Sequence, residues 1–344
     1  MLRKELRVTN REDGATSHLG RVKDLSAELS QQARGLSEAV LEIARTYMYD
    51  ARYAEALELL DSGLFGLIEE YISSADVARI RVARAAVLDR RSRDSGEGRD
   101  AVMDYLEEIE AAVLDCGDKR VLAEYLRVKA DAVMEKELME GRSYDVSLDL
   151  SERARALFEE AGDLRGIAES LFRIGLVYEF RREDVDRDKA KAAEFYSRAR
   201  STARGVGDLR TQSDAARHLG GISQDRGDLD AALAWFEESL ALRERLGYRG
   251  ALPGAYDAIA GIHIEKGDLD LALAYIAETR RWAEKVGFQR YVFLSTFRTG
   301  DVLKGRGELQ EAAEKYREAL AIAEASSFQP GIDWANQMLE SLGL

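Results

Sequence analysis

The sequence predicts an all-α protein, a solenoid of about seven helical hairpins followed by a C-terminal capping helix, and three observations carry that prediction. The strings Arg226-Gly227-Asp228-Leu229, Lys266-Gly267-Asp268-Leu269 and Arg306-Gly307-Glu308-Leu309 recur at a constant period of 40, the mark of stacked units that each pack on their neighbours. Between them apolar residues return every three or four positions, as on one face of a helix. The 344 residues include only 2 prolines, with 46% hydrophobic and 33% charged residues, which suits long amphipathic helices and leaves little for the turns of an all-β chain.

The elements follow in chain order. Residues 1–18 have no pattern and are expected to be a mobile segment, while Leu19, Val22, Leu25 and Leu29 have the spacing of a leading helix. The repeat array spans 19–328, with a first unit near 36–74 carried by Ile43, Ala44, Tyr47, Tyr53, Ala56 and Leu60. A second near 76–117 pairs Ala78 to Asp89 with Val102 to Leu114. Units near 119–162 and 164–207 are longer, because Gly117-Asp118, Gly162-Asp163 and Gly207-Asp208 set a period of 45. The extra residues are assigned to enlarged inner turns, near Gly141 in one unit and at 181–188 in the other. Units near 209–247, 249–287 and 289–327 return to 40. Within each, glycine suits the left-handed backbone that ends a helix, and the following acid caps the amides of the next one. Residues 330–344 read as a cap: Pro330 suits a first helical turn, and Ile332, Trp334 or Ala335, Met338 and Leu339 supply its apolar side.

These residues resemble the tetratricopeptide repeat family, with Leu219-Gly220 in a first helix, Tyr178 or Tyr47 at the aromatic position, and Ala232 with Phe236 or Ala312 with Tyr316 in a second. The resemblance covers roughly 36–328 and implies a right-handed superhelix with a concave groove lined by the first helices. The family's usual unit has about 34 residues, so the longer period here implies longer helices, as in kinesin light chains and the bacterial Rap-type and activator-type peptide sensors. The proline that follows helix two in the short-repeat members is missing here.

Chemistry is sparse. The histidines, His18, His218 and His263, lie apart, and the one cysteine, Cys116, has no companion that would make a metal site, an internal disulfide or a nucleophile and base pair. No phosphate-binding glycine loop occurs, since the glycines are spaced as hairpin turns. The expectation is therefore a protein that is not an enzyme, with no cofactor and no metal. A net charge of -14 argues against nucleic acid as the main partner, because phosphates are bound by cations. No run reaches the ~20 apolar residues of a spanning helix, and the charged start has no secretory core, so membrane insertion is not expected and a cytoplasmic location is.

The family's geometry places Arg45, Tyr49, Arg90, Arg127, Asp131, Phe172, Phe180, Arg217, Gln224, Phe297 and Lys304 along the groove. Arginines that fork onto carboxylates and aromatics that anchor apolar side chains suit a protein or peptide partner. The paired Asn and Lys clamp of the chaperone-tail binders is absent. These features imply a non-enzymatic scaffold holding a peptide segment or protein in the groove. The alternatives are a peptide-responsive regulator that controls a separate effector, and an accessory subunit of an enzyme complex. Homo-oligomerisation is left open.

Overall fold

The computed structural model describes residues 12–63, 71–96, 98–181 and 185–343, with the backbone alone at 12–20, 22, 185 and 186. Among them fifteen α-helices and no strand occur, arranged as seven antiparallel hairpins and one closing helix. The hairpins are α1 (Glu12–Tyr49) with α2 (Tyr53–Leu60), α3 (Ser74–Ser95) with α4 (Arg99–Asp115), α5 (Lys119–Glu140) with α6 (Asp145–Glu160), and α7 (Leu164–Phe180) with α8 (Val185–Gly205). They continue as α9 (Leu209–Asp225) with α10 (Leu229–Leu246), α11 (Leu252–Lys266) with α12 (Leu269–Val286), and α13 (Gln289–Gly305) with α14 (Leu309–Ala325), before the last helix α15 (Gln329–Ser341). A short 3-10 turn, Arg249–Ala251, joins the fifth hairpin to the sixth. No helix among the described residues is long and apolar enough to cross a membrane.

The turns obey the rule legible in the sequence. Gly227 has φ 77°, a conformation without steric cost for glycine, and the Asp228 carboxylate accepts a hydrogen bond from the Ala231 amide at 3.1 Å. Asp118, Asp163 and Asp208 cap α5, α7 and α9 in the same way. Asp268 does not cap; it stands 3.3 Å from Nδ1 of His263 instead, and Glu308 makes no side-chain cap bond either.

The extra residues of the long units lie mainly in helices, which corrects the expectation of enlarged turns. In the third unit they lengthen the first helix, 22 residues in α5 against 17 in α7 and α9. In the fourth they lengthen the second helix, α8, which has 21 residues and already includes Val185 and Asp188; 182–184 lie outside the described residues. Adding helical turns satisfies each new amide inside the helix, whereas a longer loop would leave them to water. At the start, α1 is one helix of 38 residues. It takes in 12–18 of the segment expected to be mobile, fuses the leading helix to the first unit, and leaves 1–11 outside the described residues.

Hairpins are held by rings laid on glycines. A Cβ at Gly220 would fall 2.5 Å from the Phe236 ring, and Gly175 and Gly300 meet Tyr196 and Tyr316 at 2.6 Å in the same way. Each ring lies on the bare backbone of its partner helix, and Phe236 also reaches Ile259 and Ile262 of the next hairpin. At the far end α15 buries Ala335 and Leu339 against the seventh hairpin, with Trp334 edge-on to Phe328.

The array curves until it touches itself. The first inner turn meets the turn between the fifth and sixth hairpins, 199 residues away, where Arg249 donates to Asp50 at 3.1 Å. The Tyr49 and Tyr248 rings lie 5.0 Å apart. Gly250 fits beside the Tyr49 carbonyl, 3.3 Å from where a Cβ would stand.

Adjacent glycines in α9 should respond with opposite sign. Gly220→Ala overpacks against Phe236 and should lose about 1–2 kcal/mol of stability. Gly221→Ala has nothing within 4 Å and should gain up to about 1 kcal/mol from helix propensity. Urea unfolding of the two variants measures both; equal effects would refute the ring-on-glycine account.

Candidate functional site

The concave side of the first five hairpins encloses a cavity of about 190 Å³ lined from α1, α3, α5, α7 and α9. Eight arginines and six carboxylates line it, inside a chain of net charge -14. Four of the arginines pair with carboxylates just outside the lining, Arg45 with Glu42, Arg79 with Asp76, Arg90 with Asp94 and Arg210 with Asp214.

Five of these charges bind one another across successive first helices, and others pair along their own helix. Asp131 on α5 is buried between Arg173 of α7 at 2.5 Å and Arg93 of α3 at 3.9 Å, and Arg93 also reaches Asp89 at 2.7 Å. Arg127 meets Glu169 at 3.1 Å. Asp214 stands 3.2 Å from Arg243 and 3.9 Å from Arg210, and Arg90 donates to Asp94 at 3.1 Å. The pairing is imperfect on both sides: Oδ2 of Asp208 on the wall is buried without a hydrogen bond among the described residues. The Nε groups of Arg93, Arg127 and Arg173 on the cavity wall, and of Arg243 beside it, are buried and have no aligned acceptor among the described residues. In the Arg127 to Glu169 and Arg173 to Asp131 contacts the Nε atom is itself the one nearest the carboxylate, at 3.1 and 2.5 Å, so these are close ion pairs off the ideal N–H direction. Arg45 and Arg79 are more open, Arg45 pairing with Glu42 on its own helix and Arg79 with Asp76.

Ionisation follows the partners. Burial would raise the Asp131 carboxyl, but Arg173, Arg93 and Arg127 outweigh it and hold it below the usual range. Asp214 is depressed against the same burial by Arg243 and Arg210, and Glu169 by Arg127 and Arg210. Asp89 goes the other way: burial pushes it up to about 6, with Arg93 opposing the rise and Asp131 adding to it. Burial likewise raises the Tyr49 hydroxyl, against Arg210 and Arg45.

Five of the eleven residues expected along the groove line this one cavity: Arg45, Tyr49, Arg90, Arg127 and Asp131. The other six do not. Phe172 is buried between helices, edge-on to His218 at 5.4 Å and tilted on Tyr196 at 5.5 Å, so it is core and not groove surface. Phe297 is likewise spent on packing against Phe293 and Tyr316. Phe180 is exposed at the end of α7, Arg217 is half-buried near Glu179, Gln224 donates to Glu265, and Lys304 is exposed at the end of α13. Sequence reasoning missed Arg93, Arg173, Arg210 and Tyr248. A signal for the first two existed, since Arg93, Asp131 and Arg173 place opposite charges at close to the repeat period.

No group of three or more His, Cys, Asp or Glu able to hold a metal occurs among the described residues. His218 sits 2.7 Å from Glu179, which also accepts from the Tyr196 hydroxyl. His263 is buried and stacked on Tyr275. Cys116 is half-buried, its thiol directed at the Val113 carbonyl.

Residues 213–246, in the fifth hairpin, match the tetratricopeptide repeat family. A search of curated proteins returned no match. Among solved structures the fold is similar to NprR in complex with its cognate peptide NprX, at 14% identity and a TM-score of 0.53 over 94% of this chain and 84% of that one. It is similar to a Rap protein complexed with competence and sporulation factor, at 13% identity and a TM-score of 0.52 over 90% and 98% of the two chains. A signal transduction ATPase with a tetratricopeptide repeat sensor from Pyrococcus horikoshii gives 13% identity and a TM-score of 0.55, with 91% of this chain covering 49% of that one.

Asp89 makes the cavity sensitive to pH. Its raised pKa means the folded chain still holds a proton that the unfolded chain releases near the ordinary value of 3.8, so this group's contribution to stability falls as pH rises from about 4 to 6. Asp89→Asn removes that loss. The stability of the variant relative to the parent should rise by about 2 kcal/mol between pH 4 and pH 7.5, read from urea unfolding at the two pH values; a constant difference would rule out the assignment.

Proposed function

We propose that this chain, a tetratricopeptide-type repeat array, is a non-enzymatic binding protein that takes an acidic peptide segment into its arginine-lined interior and couples binding to opening of the array. The observation that carries the reading is the interior itself: eight arginines converge on one cavity, and two of them, Arg45 and Arg79, are more open and held only by carboxylates of their own helices. Guanidinium donors of this kind bind carboxylates at fixed angles.

A regulator is favoured over a passive scaffold by the contact between the first and fifth hairpins. A cavity of about 190 Å³ falls below the roughly 300–1,000 Å³ of ordinary ligand sites, so room for a peptide requires the array to open, and the contact of Tyr49 with Tyr248, between its first and fifth hairpins, is one that opening would break. A ligand that binds the open array better than the closed one shifts the population between them, and that shift changes the outer surface offered to an effector. Two of the similar structures hold a peptide or factor, which agrees with this use of the fold.

Two measurements test it. Arg45→Glu combined with Arg79→Glu should weaken binding of a fluorescein-labelled glutamate-rich peptide by about tenfold or more, equivalent to about 1.4 kcal/mol, with unchanged helical circular dichroism; undiminished binding sinks the site. Arg249→Glu removes the ion pair to Asp50 and should enlarge the radius of gyration in small-angle scattering while tightening peptide binding, because less of the population is closed. A variant that opens without binding more tightly would separate closure from recognition and end the regulatory reading.

A further inference from the structure

The two ends of the array are finished differently. At the C-terminal end α15 covers the seventh hairpin, as a repeat array requires of its last unit. At the other end α1 attaches through Ala33, Ser37, Val40 and Ala44, all buried, and none of the described side chains from Arg21 to Gln32 is buried. A helix of 38 residues, about 57 Å long, is thus anchored by its second half, while the described side chains ahead of Ala33 are not buried against the hairpins. Helices without packing are marginal in water.

On α1 lies an exposed apolar stripe: Leu25, Leu29, Leu36 and Ile43 are 52%, 46%, 38% and 45% exposed. Their separations of 4, 7 and 7, with Gln32 and Ala39 filling the intervening positions, follow the heptad spacing of a helix–helix seam. The stripe is turned about 80° from the residues that attach α1 to the array, so it is free to meet another helix.

We infer that this seam pairs with the same seam of a second copy of the chain, antiparallel, giving a two-fold dimer. The charges flanking the stripe select the occupant and its register. When Leu25 faces the second copy's Leu36 and Leu29 its Gln32, Arg21 meets Glu42 of the second copy and Glu28 faces Gly35, each contact occurring twice by symmetry. A slide of one heptad in either direction sets Glu28 against Glu42 or against another Glu28, which repels. Glu42 can accept the second cation because its bond to Arg45 uses one oxygen and its side chain is 69% exposed. The antiparallel order places the two arrays at opposite ends of the pair, and the free half of each α1 lies along the anchored half of the other. The second copy then supplies at the N-terminal end the cover that α15 supplies at the other.

The experiment is multi-angle light scattering on the full chain across a concentration series. The expected mass is twice 38.4 kDa, falling to that of one chain in Leu29→Glu/Leu36→Glu with helical circular dichroism retained. Glu42→Arg should weaken the dimer on its own, and Arg21→Glu in the same chain should restore it. A parent that keeps the mass of one chain at about 100 μM, or a dimer indifferent to the leucine substitutions, overturns the proposal, and the seam then belongs to another protein. Failure of the charge exchange to rescue overturns the register. Peptide binding is read on the Leu29→Glu/Leu36→Glu chain, whose substituted residues neither line the cavity nor pair with Arg45, so its loss in the Arg45 and Arg79 variants bears on the interior site alone.

Discussion

The concave side of this array depends on a carboxylate held between two arginines. Asp131 on α5 bridges Arg93 of α3 and Arg173 of α7, and so ties three successive hairpins together on their concave side. Charges taken out of water are tolerated there only with their partners; stranding one costs several kcal/mol. The hairpins cannot spread without separating these groups, so the first half of the solenoid is drawn tight, and the turn after α1 is carried round to the turn before α11. Past that point the sixth and seventh hairpins are tied by Asp257 with Arg298, and they take no part in the enclosure.

The same arginines that hold the curve supply the donors proposed for a ligand. Structure and recognition therefore draw on one set of charges, and an incoming carboxylate would compete with Asp131, Glu169 or Asp214 for its guanidinium groups. That competition is a physical route from binding to shape, because each ion pair exchanged loosens one hairpin from the next. The array's outer helices are joined to the inner ones by rings packed on glycine, so in this proposal each hairpin would shift as one unit.

Much of the fold is legible in the sequence because its signals are local. Gly227 and Asp228 announce a turn whatever surrounds them, and the interval between such pairs counts the hairpins. The lengthened units are visible as a change of period from 40 to 45, yet their placement is not. Extra residues look like a loop when the glycine at the break is the only landmark, while α5 and α8 absorb them as helical turns. The candidate site is less legible. Family geometry points to Arg127 and Asp131, but not to the partners one unit away that bind them. Phe172 and Phe297 pass for groove residues in the sequence because a helix has no inward face until its neighbours are placed.

The sequence by itself determined the element type, the number of hairpins and the chemistry of most turns, all of which depend on residues within one or two helical turns. Only the tertiary structure decided which faces look inward, that the inner charges bind one another first, and that Tyr49 meets Tyr248 from the far side of the array. Those outcomes depend on the angle between hairpins summed along the chain. A small rotation at each interface, fixed by residues such as Asp131 and Gly220, accumulates into closure, and no short stretch of sequence records the sum.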